Sequence, residues 1–360
     1  MYSPVFFDES HYGVLKEIDI KLSKKVYVCT HIEISKGILS DFDFGDSYLV
    51  VDHSFDPIKQ SIFERVHFSK INISADKIII VSPSPDQLFY QEEGLNDYVR
   101  VNKKTKTVKK FKHIFCNGMF QKARNMFDPN MVREKNIEKL FLCLSREDKL
   151  PRRLLNYNLH KHKIFNHGIV SHQRVAPNVG NLFDVENDLQ AFSVRSDFDT
   201  NLYMNYGLRK HFVDSYKDKL HAAYNYHEYS ELNKKTLIEL CVESFTCDYL
   251  FITEKTLKPI LFKTPFLVMG CPYTLKYLRS LGFKTFDSVF DESYDEQLIV
   301  YDRIDGIVSN LKQISSLSLQ DTIKKFKITD EICSHNYDVF MKSDWSFNLE
   351  EKIERIINVS

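Results

Sequence analysis

A carboxylate and an ammonium group are neighbours at a predicted helix start, in the tripeptide Thr253-Glu254-Lys255. Thr253 follows an apolar run and is a favourable N-cap, so Glu254 and Lys255 are predicted as the first helical residues. Because this helix end attracts anions, a lysine there is unfavourable unless a negatively charged ligand lies beside it. The pattern therefore predicts that Lys255 binds a phosphate and Glu254 accepts hydrogen bonds from sugar hydroxyls; a solvated turn is the alternative.

The N-terminal third alternates between short apolar runs and helical patterns. Apolar, β-branched runs predict strands at 26–30, 48–52 and 77–82, and the apolar spacing over 57–68 predicts a crossover helix. This alternation is typical of a parallel sheet with helices on its faces.

A second α/β unit is predicted to begin near residue 138. Its predicted elements are a strand over 140–144, a helix from Pro151, a strand over 168–171, regular structure over 237–243, the helix after Thr253, a strand over 265–270 and a helix over 273–281. The segment 184–229 gives no assignment. We therefore predict an α/β protein with two Rossmann-like domains facing a cleft, 1–137 and 138–330. Residues 331–360 are predicted as a C-terminal helix that packs back on the N-terminal domain.

The composition limits the class of protein. The 360 residues are 43% hydrophobic, and 49 basic residues balance 49 acidic ones, which excludes a wholly basic nucleic-acid coat. No run of about 18 apolar residues and no secretory signal is visible, so we expect no membrane partner. Seven scattered cysteines without a CxxC pair indicate a cytoplasmic protein (host cytoplasm if viral) without a zinc ribbon. Neither GxGxxG nor a P-loop is present, which disfavours a nucleotide-dependent phosphotransferase.

The neutral total hides two basic stretches without acidic residues, 98–127 and 149–183. The pattern around 99–101 and 107–109 predicts a two-stranded ribbon with a lysine-rich tip. A polyanion or a diphosphate needs such clustering, whereas a solvated hairpin or a protected strand edge is the alternative. The candidate polyanion-binding residues of the first stretch are Arg100, Lys103, Lys104, Lys109 and Lys110.

The region 242–268 resembles the donor-binding region of GT-B glycosyltransferases, with the nearest likeness to the fucosyltransferase-like branch and related bacteriophage proteins. A glutamate (Glu243) ends one strand, Thr253-Glu254-Lys255 starts a helix, and Pro265-Phe266 opens a hydrophobic strand. The likeness covers about 138–300 and is most specific over 243–286. Residues 1–137 carry no recognised motif.

This resemblance implies a GT-B fold and an enzyme that transfers a sugar from a nucleotide-diphosphate donor, UDP- or GDP-linked, with no metal strictly required. Residues 138–330 would bind the donor, with Glu254 at its ribose and Lys255 at its diphosphate. Glu243 would face the sugar as a catalytic candidate. Arg146 resembles the basic residue that meets the departing phosphate, and Arg152 and Arg153 are candidates for the same task. The donor-binding set is thus Arg146, Arg152, Arg153, Thr253, Glu254 and Lys255.

Residues 1–137 would bind the acceptor, and an inverting reaction would need a general base there. Asp52 and His53 are the first candidates because they follow a predicted strand; a capping aspartate and a hydrogen-bonded histidine are the alternatives. Retention or inversion stays open. The DxD patterns at 41–43 and 197–199 follow no predicted buried strand, and no HExxH occurs, so no metal ligands are assigned.

The basic stretch favours double-stranded phage DNA as the acceptor, through the hydroxyl of a hydroxymethylated base, because a flipped base needs flanking phosphate contacts. A cell-surface or capsid glycan is the alternative acceptor. A non-catalytic nucleic-acid or glycan-binding protein on the same fold is the rival from another functional class. The donor base, the type of sugar and the oligomeric state stay open.

Overall fold

Residue contacts divide the protein into two compact units. Unit 1 comprises residues 1–125, 249–251 and 343–360, and unit 2 comprises residues 126–248 and 252–342. The computed structural model describes residues 1–7, 14–17, 20–30, 33–34, 36–52, 71–82, 89–92, 95–101, 108–145, 149–172, 198–207, 226–244, 246 and 250–359. The division falls after residue 125 rather than after 137, and the chain rejoins unit 1 at residue 343 rather than at 331.

From residue 139 to residue 280 every described strand is followed by a helix, whereas strands predominate before residue 116 and only helices are described after residue 299. The strands are β1 Val5–Phe6, β2 Val26–Cys29, β3 Tyr48–Asp52, β4 Ile78–Ser82, β5 Phe89–Glu92, β6 Leu95–Val101, β7 Val108–Phe115, β8 Lys139–Ser145, β9 Gly168–His172, β10 Thr236–Val242 and β11 Phe266–Met269. The α-helices are α1 Val14–Glu17, α2 Met119–Met126, α3 Leu150–Lys161, α4 Thr200–Leu202, α5 Tyr226–Asn233, α6 Glu254–Leu261, α7 Thr274–Ser280, α8 Val300–Ser315, α9 Leu319–Phe326, α10 Asp330–Lys342 and α11 Leu349–Val359. None of these helices combines the length and the apolar character needed to cross a membrane.

Unit 1 contains a seven-stranded mixed sheet in the order β1-β2-β3-β4-β7-β6-β5. Strands β1 to β4 and β7 are parallel, and β6 and β5 are antiparallel additions at one side. The strands predicted at 26–30, 48–52 and 77–82 are confirmed, and β3 and β4 are buried at every position, as a sheet covered on both faces requires. The helix predicted over 57–68 lies outside the described residues.

The predicted basic ribbon is formed by β6 and β7, which pair antiparallel. Arg100 pairs with Lys109 and Val99 pairs with Lys110. Two cationic residues therefore lie directly opposite each other, an arrangement that like-charge repulsion disfavours unless an anion is near. The connecting residues 102–107, with Lys103 and Lys104, lie outside the described residues.

Unit 2 contains a four-stranded, all-parallel sheet in the order β11-β10-β8-β9. The chain runs from β8 outward to β9, then crosses to β10 and runs outward to β11 on the other side. Strand order therefore reverses between β8 and β10, which are direct neighbours. In open parallel sheets, a crevice for ligands forms beyond the carboxyl ends of strands at such a reversal.

Local signals account for the helices that follow these strand ends. Pro151 lies in the first turn of α3, where its missing N–H leaves no bond unmade. Thr253 is the N-cap of α6, and its hydroxyl accepts a hydrogen bond from the Lys255 N–H at 3.4 Å. Gly282 has a φ of +91° just after α7, which explains why a glycine ends that helix. The fold is thus α/β with parallel strands in both units.

Helix α11 closes unit 1. Its buried apolar face is formed by Leu349, Ile353, Ile356 and Ile357. The Glu354 carboxylate accepts hydrogen bonds from the backbone N–H and the hydroxyl of Ser23, 331 positions earlier in the chain. Packing therefore joins the last helix to the first hundred residues.

We expect Ile353→Ala to destabilise unit 1 by about 2–4 kcal/mol, because it removes a fully buried side chain and leaves a cavity. Urea denaturation followed by hydrogen exchange would measure this, with protection lost first in β7, the strand that α11 contacts. Arg355 is exposed on the same helix, so Arg355→Lys serves as the control and should change stability by less than about 0.5 kcal/mol. Equal effects of the two substitutions would contradict the packing described for α11.

Candidate functional site

The start of α6 is held by a carboxylate from the end of β10. Glu243 Oε1 accepts a hydrogen bond from the Thr253 N–H at 3.0 Å and another from the Thr256 hydroxyl at 2.6 Å. Its Oε2 accepts a hydrogen bond from the Thr253 hydroxyl. Three donors from the first turn of one helix thus converge on one carboxylate and fix where that helix begins.

Glu243 was predicted to face the sugar as a catalytic residue. The structure places it at the predicted strand end, but its side chain is buried and points at α6. A carboxylate that already accepts three hydrogen bonds is poorly placed to take a proton from a substrate. These contacts assign Glu243 to positioning α6.

Lys255 and Glu254 lie together, as their sequence positions suggested. The Lys255 ammonium donates to Glu254 Oε1 at 2.9 Å, to the Ser244 hydroxyl at 3.2 Å and to the Thr253 hydroxyl at 3.3 Å. In the described part of the chain, Glu254 Oε2 accepts no hydrogen bond from another residue. The pair therefore presents one cation and one open carboxylate oxygen.

Glu254 is held in its charged form although it is buried. Burial acts to raise the pKa of its carboxyl, but the Lys255 and Lys258 ammonium groups and hydrogen bonds from Lys255 and its own backbone hold the pKa below its ordinary value. At neutral pH the open oxygen is therefore a hydrogen-bond acceptor, as binding of a hydroxyl requires.

A second lysine contacts Ser244 from the start of α3, the helix that follows the neighbouring strand β8. Lys149 is the N-cap of α3, and its ammonium donates to the Ser244 carbonyl oxygen at 3.2 Å. Ser244 thus accepts hydrogen bonds from two ammonium groups, Lys149 on its carbonyl and Lys255 on its hydroxyl. The two lysines mark the starts of the helices that follow β8 and β10, at the point of strand-order reversal.

The first turn of α3 carries basic side chains and no acidic one. It contains Arg152 and Arg153, both buried. An Arg152 terminal nitrogen lies 3.5 Å from the Val242 carbonyl oxygen at the end of β10, and Arg153 Nε donates to the Tyr203 hydroxyl at 3.2 Å. Arg152 thus lies beside the end of β10, at the strand reversal, whereas Arg153 contacts Tyr203.

The loop between β10 and α6 is anchored from α8. The Arg303 guanidinium, almost fully buried, donates to the carbonyl oxygens of Thr246 and Gln297. This double contact ties the loop that carries Ser244 to the segment preceding α8. Arg303 therefore acts on the site through the loop backbone.

A buried polar network continues beneath α6. The Tyr229 hydroxyl donates to Glu239 Oε2, and the Lys258 ammonium lies 5.3 Å from the centre of the Tyr229 ring. Lys135 donates to Asn233 Oδ1 at 2.7 Å and to the Thr264 hydroxyl at 2.9 Å. Charges thus alternate from Lys135 through Glu239 and Lys258 to Glu254 and Lys255.

Burial shifts the protonation of this network. It raises the pKa of Glu239 to about 7, against the lowering effects of the Tyr229 hydrogen bond and of Lys258 and Lys135. It lowers the pKa of Lys135 to about 8, and it also lowers the pKa of Lys258, where Glu254 and Glu239 oppose it. The charge beneath α6 therefore changes near neutral pH.

In unit 1, Asp52 ends β3 as predicted, but its side chain is fully buried. Its Oδ2 accepts a hydrogen bond from the Leu15 N–H at 3.0 Å, in the first turn of α1. The carboxylate therefore holds a helix start and is not exposed to an acceptor hydroxyl. His53, Arg146, Lys103 and Lys104 lie outside the described residues, and of Arg100, Lys109 and Lys110 only the backbone is described.

The DxD patterns are turn and cap residues where the structure describes them. Asp43 accepts a hydrogen bond from the Gly45 N–H at 3.0 Å, and Asp199 caps α4 by accepting from the Leu202 N–H at 2.9 Å. Within the described ranges, no group of three histidine, cysteine, aspartate or glutamate side chains is arranged to hold a metal ion.

Sequence reasoning did not assign four residues that shape the site. Lys149 carried a signal, since it precedes Pro151 at a helix start, and Lys258 follows Glu254 by one helical turn. The only signal for Glu239 was that a charged residue interrupts an apolar run. Arg303 had no local signal, because its partners Thr246 and Gln297 are defined by tertiary packing alone.

We expect the contribution of Glu239 to stability to fall as pH rises from about 4.5 to about 7, because native Glu239 keeps its proton in this range while the unfolded chain loses it. Glu239→Gln cannot ionise and can still accept from Tyr229. The free energy of unfolding of Glu239→Gln, minus that of the native protein, should therefore be about 1–3 kcal/mol larger at pH 7.5 than at pH 5. Urea denaturation at both pH values measures this. Exposed Glu296→Gln is the control, and equal pH dependence of the native and Glu239→Gln proteins would exclude the linkage.

Two helix starts, two lysines on one serine and an adjacent carboxylate oxygen thus lie together at the strand reversal. Ammonium groups of this kind form charge-assisted hydrogen bonds with anions, and carboxylates accept hydrogen bonds from hydroxyl groups. A comparison with protein-family models and with curated proteins finds no match to this chain.

Proposed function

We propose that the protein is a glycosyltransferase of GT-B architecture that moves a sugar from a nucleotide-diphosphate donor to an acceptor hydroxyl. The observation that carries the proposal is the meeting of Lys149 and Lys255 on Ser244, beside the open oxygen of Glu254. A nucleoside diphosphate supplies the matching groups, two phosphates and a ribose diol. The resemblance of residues 242–268 to GT-B donor sites supports the same substrate class.

The chemistry of transfer fits these charges. As the glycosidic bond breaks, negative charge accumulates on the departing diphosphate, and preorganised cations stabilise it most effectively in a site shielded from water. Lys149 and Lys255 supply that charge directly, and Arg152 and Arg153 add to it from the first turn of α3. Glu243 keeps the α6 start fixed, and Lys255 would exchange one of its three present hydrogen bonds for one to a phosphate oxygen.

The basic ribbon supports a DNA acceptor, with a hydroxymethylated base supplying the hydroxyl. Arg100 and Lys109 pair across the ribbon, and neutral glycan acceptors would not need such a charge. His53, next to the buried Asp52, is the proposed general base for the acceptor hydroxyl. A surface or capsid glycan remains the alternative acceptor.

A donor panel tests the proposal. The native protein should gain thermal stability with one of the UDP-, GDP- or CMP-sugars, and Lys255→Ala or Lys149→Ala should weaken binding of that donor about 10- to 100-fold, as loss of a charge-assisted hydrogen bond implies. Titration calorimetry measures the affinities. Stabilisation by no donor would leave a non-catalytic binding protein as the better description, and unchanged binding by the Lys255→Ala and Glu254→Ala variants would refute the site.

Glu243→Gln separates positioning from folding. We expect it to destabilise the protein by about 1–3 kcal/mol and to weaken donor binding, because one donor at the α6 start loses its acceptor. Glu292→Gln is the matched control: Glu292 accepts from the Phe286 N–H at 2.6 Å and the Thr285 hydroxyl at 2.8 Å. It should reduce stability similarly and leave donor affinity unchanged. Equal loss of donor affinity in both variants would contradict a positioning role.

The dependence of DNA binding and transfer on salt concentration tests the DNA acceptor. Neutralising Lys103, Lys104, Lys109 and Lys110 should leave donor hydrolysis intact and abolish transfer to hydroxymethylated DNA. The slope of log affinity against log salt for DNA should decrease by about 0.9 for each phosphate that the variant no longer neutralises. Neutralising the four exposed lysines 312, 324, 325 and 327 is the control. Transfer that is indifferent to salt and to the ribbon lysines would exclude DNA.

A further inference from the structure

Tyr273 has a backbone conformation that is unusual for a bulky residue at a helix start. It is the N-cap of α7, with φ 65° and ψ 20°, and its side chain makes no cap hydrogen bond. N-cap residues are normally extended, and the left-handed region is unfavourable for a bulky residue. Four other non-glycine residues in the described chain have positive φ. Lys163 and Lys263 follow the C-terminal ends of α3 and α6, where this conformation is common. Phe347 and Asn348 precede α11, and the Phe347 ring, unlike that of Tyr273, packs against other aromatic rings.

The surrounding chain imposes this conformation. The Tyr273 N–H donates to the Asp295 carbonyl oxygen at 2.8 Å, and Asp295 Oδ2 accepts from the Leu275 N–H at 2.9 Å. Gly270 is packed so closely that an added Cβ would lie 2.4 Å from the Thr274 hydroxyl oxygen. A glycine at position 273 would adopt the same turn without strain. Packing of the turn therefore does not require a tyrosine.

The tyrosine ring is presented at the surface. Its residue is 45% exposed, and the Lys276 ammonium lies 5.7 Å from the ring centre. After Asp295, the chain that contacts Tyr273 carries two exposed aliphatic side chains, Leu298 and Ile299. An aromatic residue kept in a strained, exposed position indicates a function for the ring itself.

The loop that carries Tyr273 follows β11, the strand next to β10. Val242 pairs with Met269, and the Glu243 N–H donates to the Met269 carbonyl oxygen at 2.9 Å, so Gly270 is level with Glu243 on the adjacent strand. Adjacent strands are about 4.8 Å apart. Tyr273 follows Gly270 by three residues, on the loop next to the one that carries Ser244.

We propose that Tyr273 stacks against the planar base of the nucleoside diphosphate whose phosphates bind Lys149 and Lys255; this inference rests on the proposed function. A base has an apolar face that suits an exposed ring, and stacking is tolerant of base identity. Tyr273 therefore contributes affinity for the nucleoside and leaves the selection of the base to other groups.

The experiment compares UDP, GDP and inorganic pyrophosphate as ligands by titration calorimetry. Asn tolerates the left-handed region, so Tyr273→Asn keeps the turn and removes the ring. We expect it to weaken UDP and GDP binding about 10- to 100-fold and to leave pyrophosphate binding unchanged, while Tyr273→Phe retains nucleotide affinity. Tyr273→Gly should raise the melting temperature while also weakening nucleotide binding. Lys163→Gly, at an exposed left-handed position, should change no affinity and is the control.

The outcomes separate this inference from the proposed function. Nucleotide binding by Tyr273→Asn that equals the native protein overturns the stacking role and leaves the proposed function standing. A parallel loss of pyrophosphate binding also overturns it, because the ring would then act on the phosphate site. If the native protein binds pyrophosphate but prefers neither UDP nor GDP over it, the proposed function and the stacking role fail together.

Discussion

The carboxylate of Glu243 at the start of α6 is the interaction on which the rest of the site depends. It accepts hydrogen bonds from Thr253 and Thr256, so the first turn of the helix is held against the end of β10. This anion also occupies the end of the helix where a ligand anion would otherwise be attracted. The helix dipole is therefore partly compensated from within, and attraction for a phosphate has to come from side-chain cations. In the proposed function, Lys149 and Lys255 supply this attraction, and both donate to Ser244, the residue next to Glu243.

The same constraint accounts for the charges beneath α6. A lysine buried on a helix that packs on a sheet is unfavourable unless carboxylates lie near it. Lys258 has Glu254 on one side and Glu239 on the other, and Glu239 in turn has Tyr229 and Lys135 as neighbours. Each charge is tolerated because the next one is present. The Glu254–Lys255 pair is thus electrostatically coupled to the buried charges of unit 2, whose protonation changes near neutral pH.

Local sequence signals predicted the parts of the fold that local physics determines. Thr253 as an N-cap, Pro151 in a first turn and the apolar runs of β3, β4, β8 and β10 all appear where expected. The contacts that define the site could not be read in this way, because Ser244 meets Lys149 across 95 positions of chain. Glu243 illustrates what the sequence could not predict. Its strand-end position was correct, but only the tertiary structure reveals that its carboxylate accepts hydrogen bonds from the first turn of α6. The boundary at residue 343 likewise depends on how α10 packs within unit 2.

The return of the chain to unit 1 at residue 343 bears on the order of events during synthesis. A ribosome releases the amino-terminal segment first, and domains generally fold in that order. Here the early segment, residues 1–125, is made before α11, the last helix of unit 1. The surface that Ile353 and its neighbours on α11 later cover therefore stays uncovered while the 217 residues 126–342 are being made. The later unit is therefore complete before the earlier one. The apolar surface under α11 is therefore covered only after residues 126–342 have been synthesised.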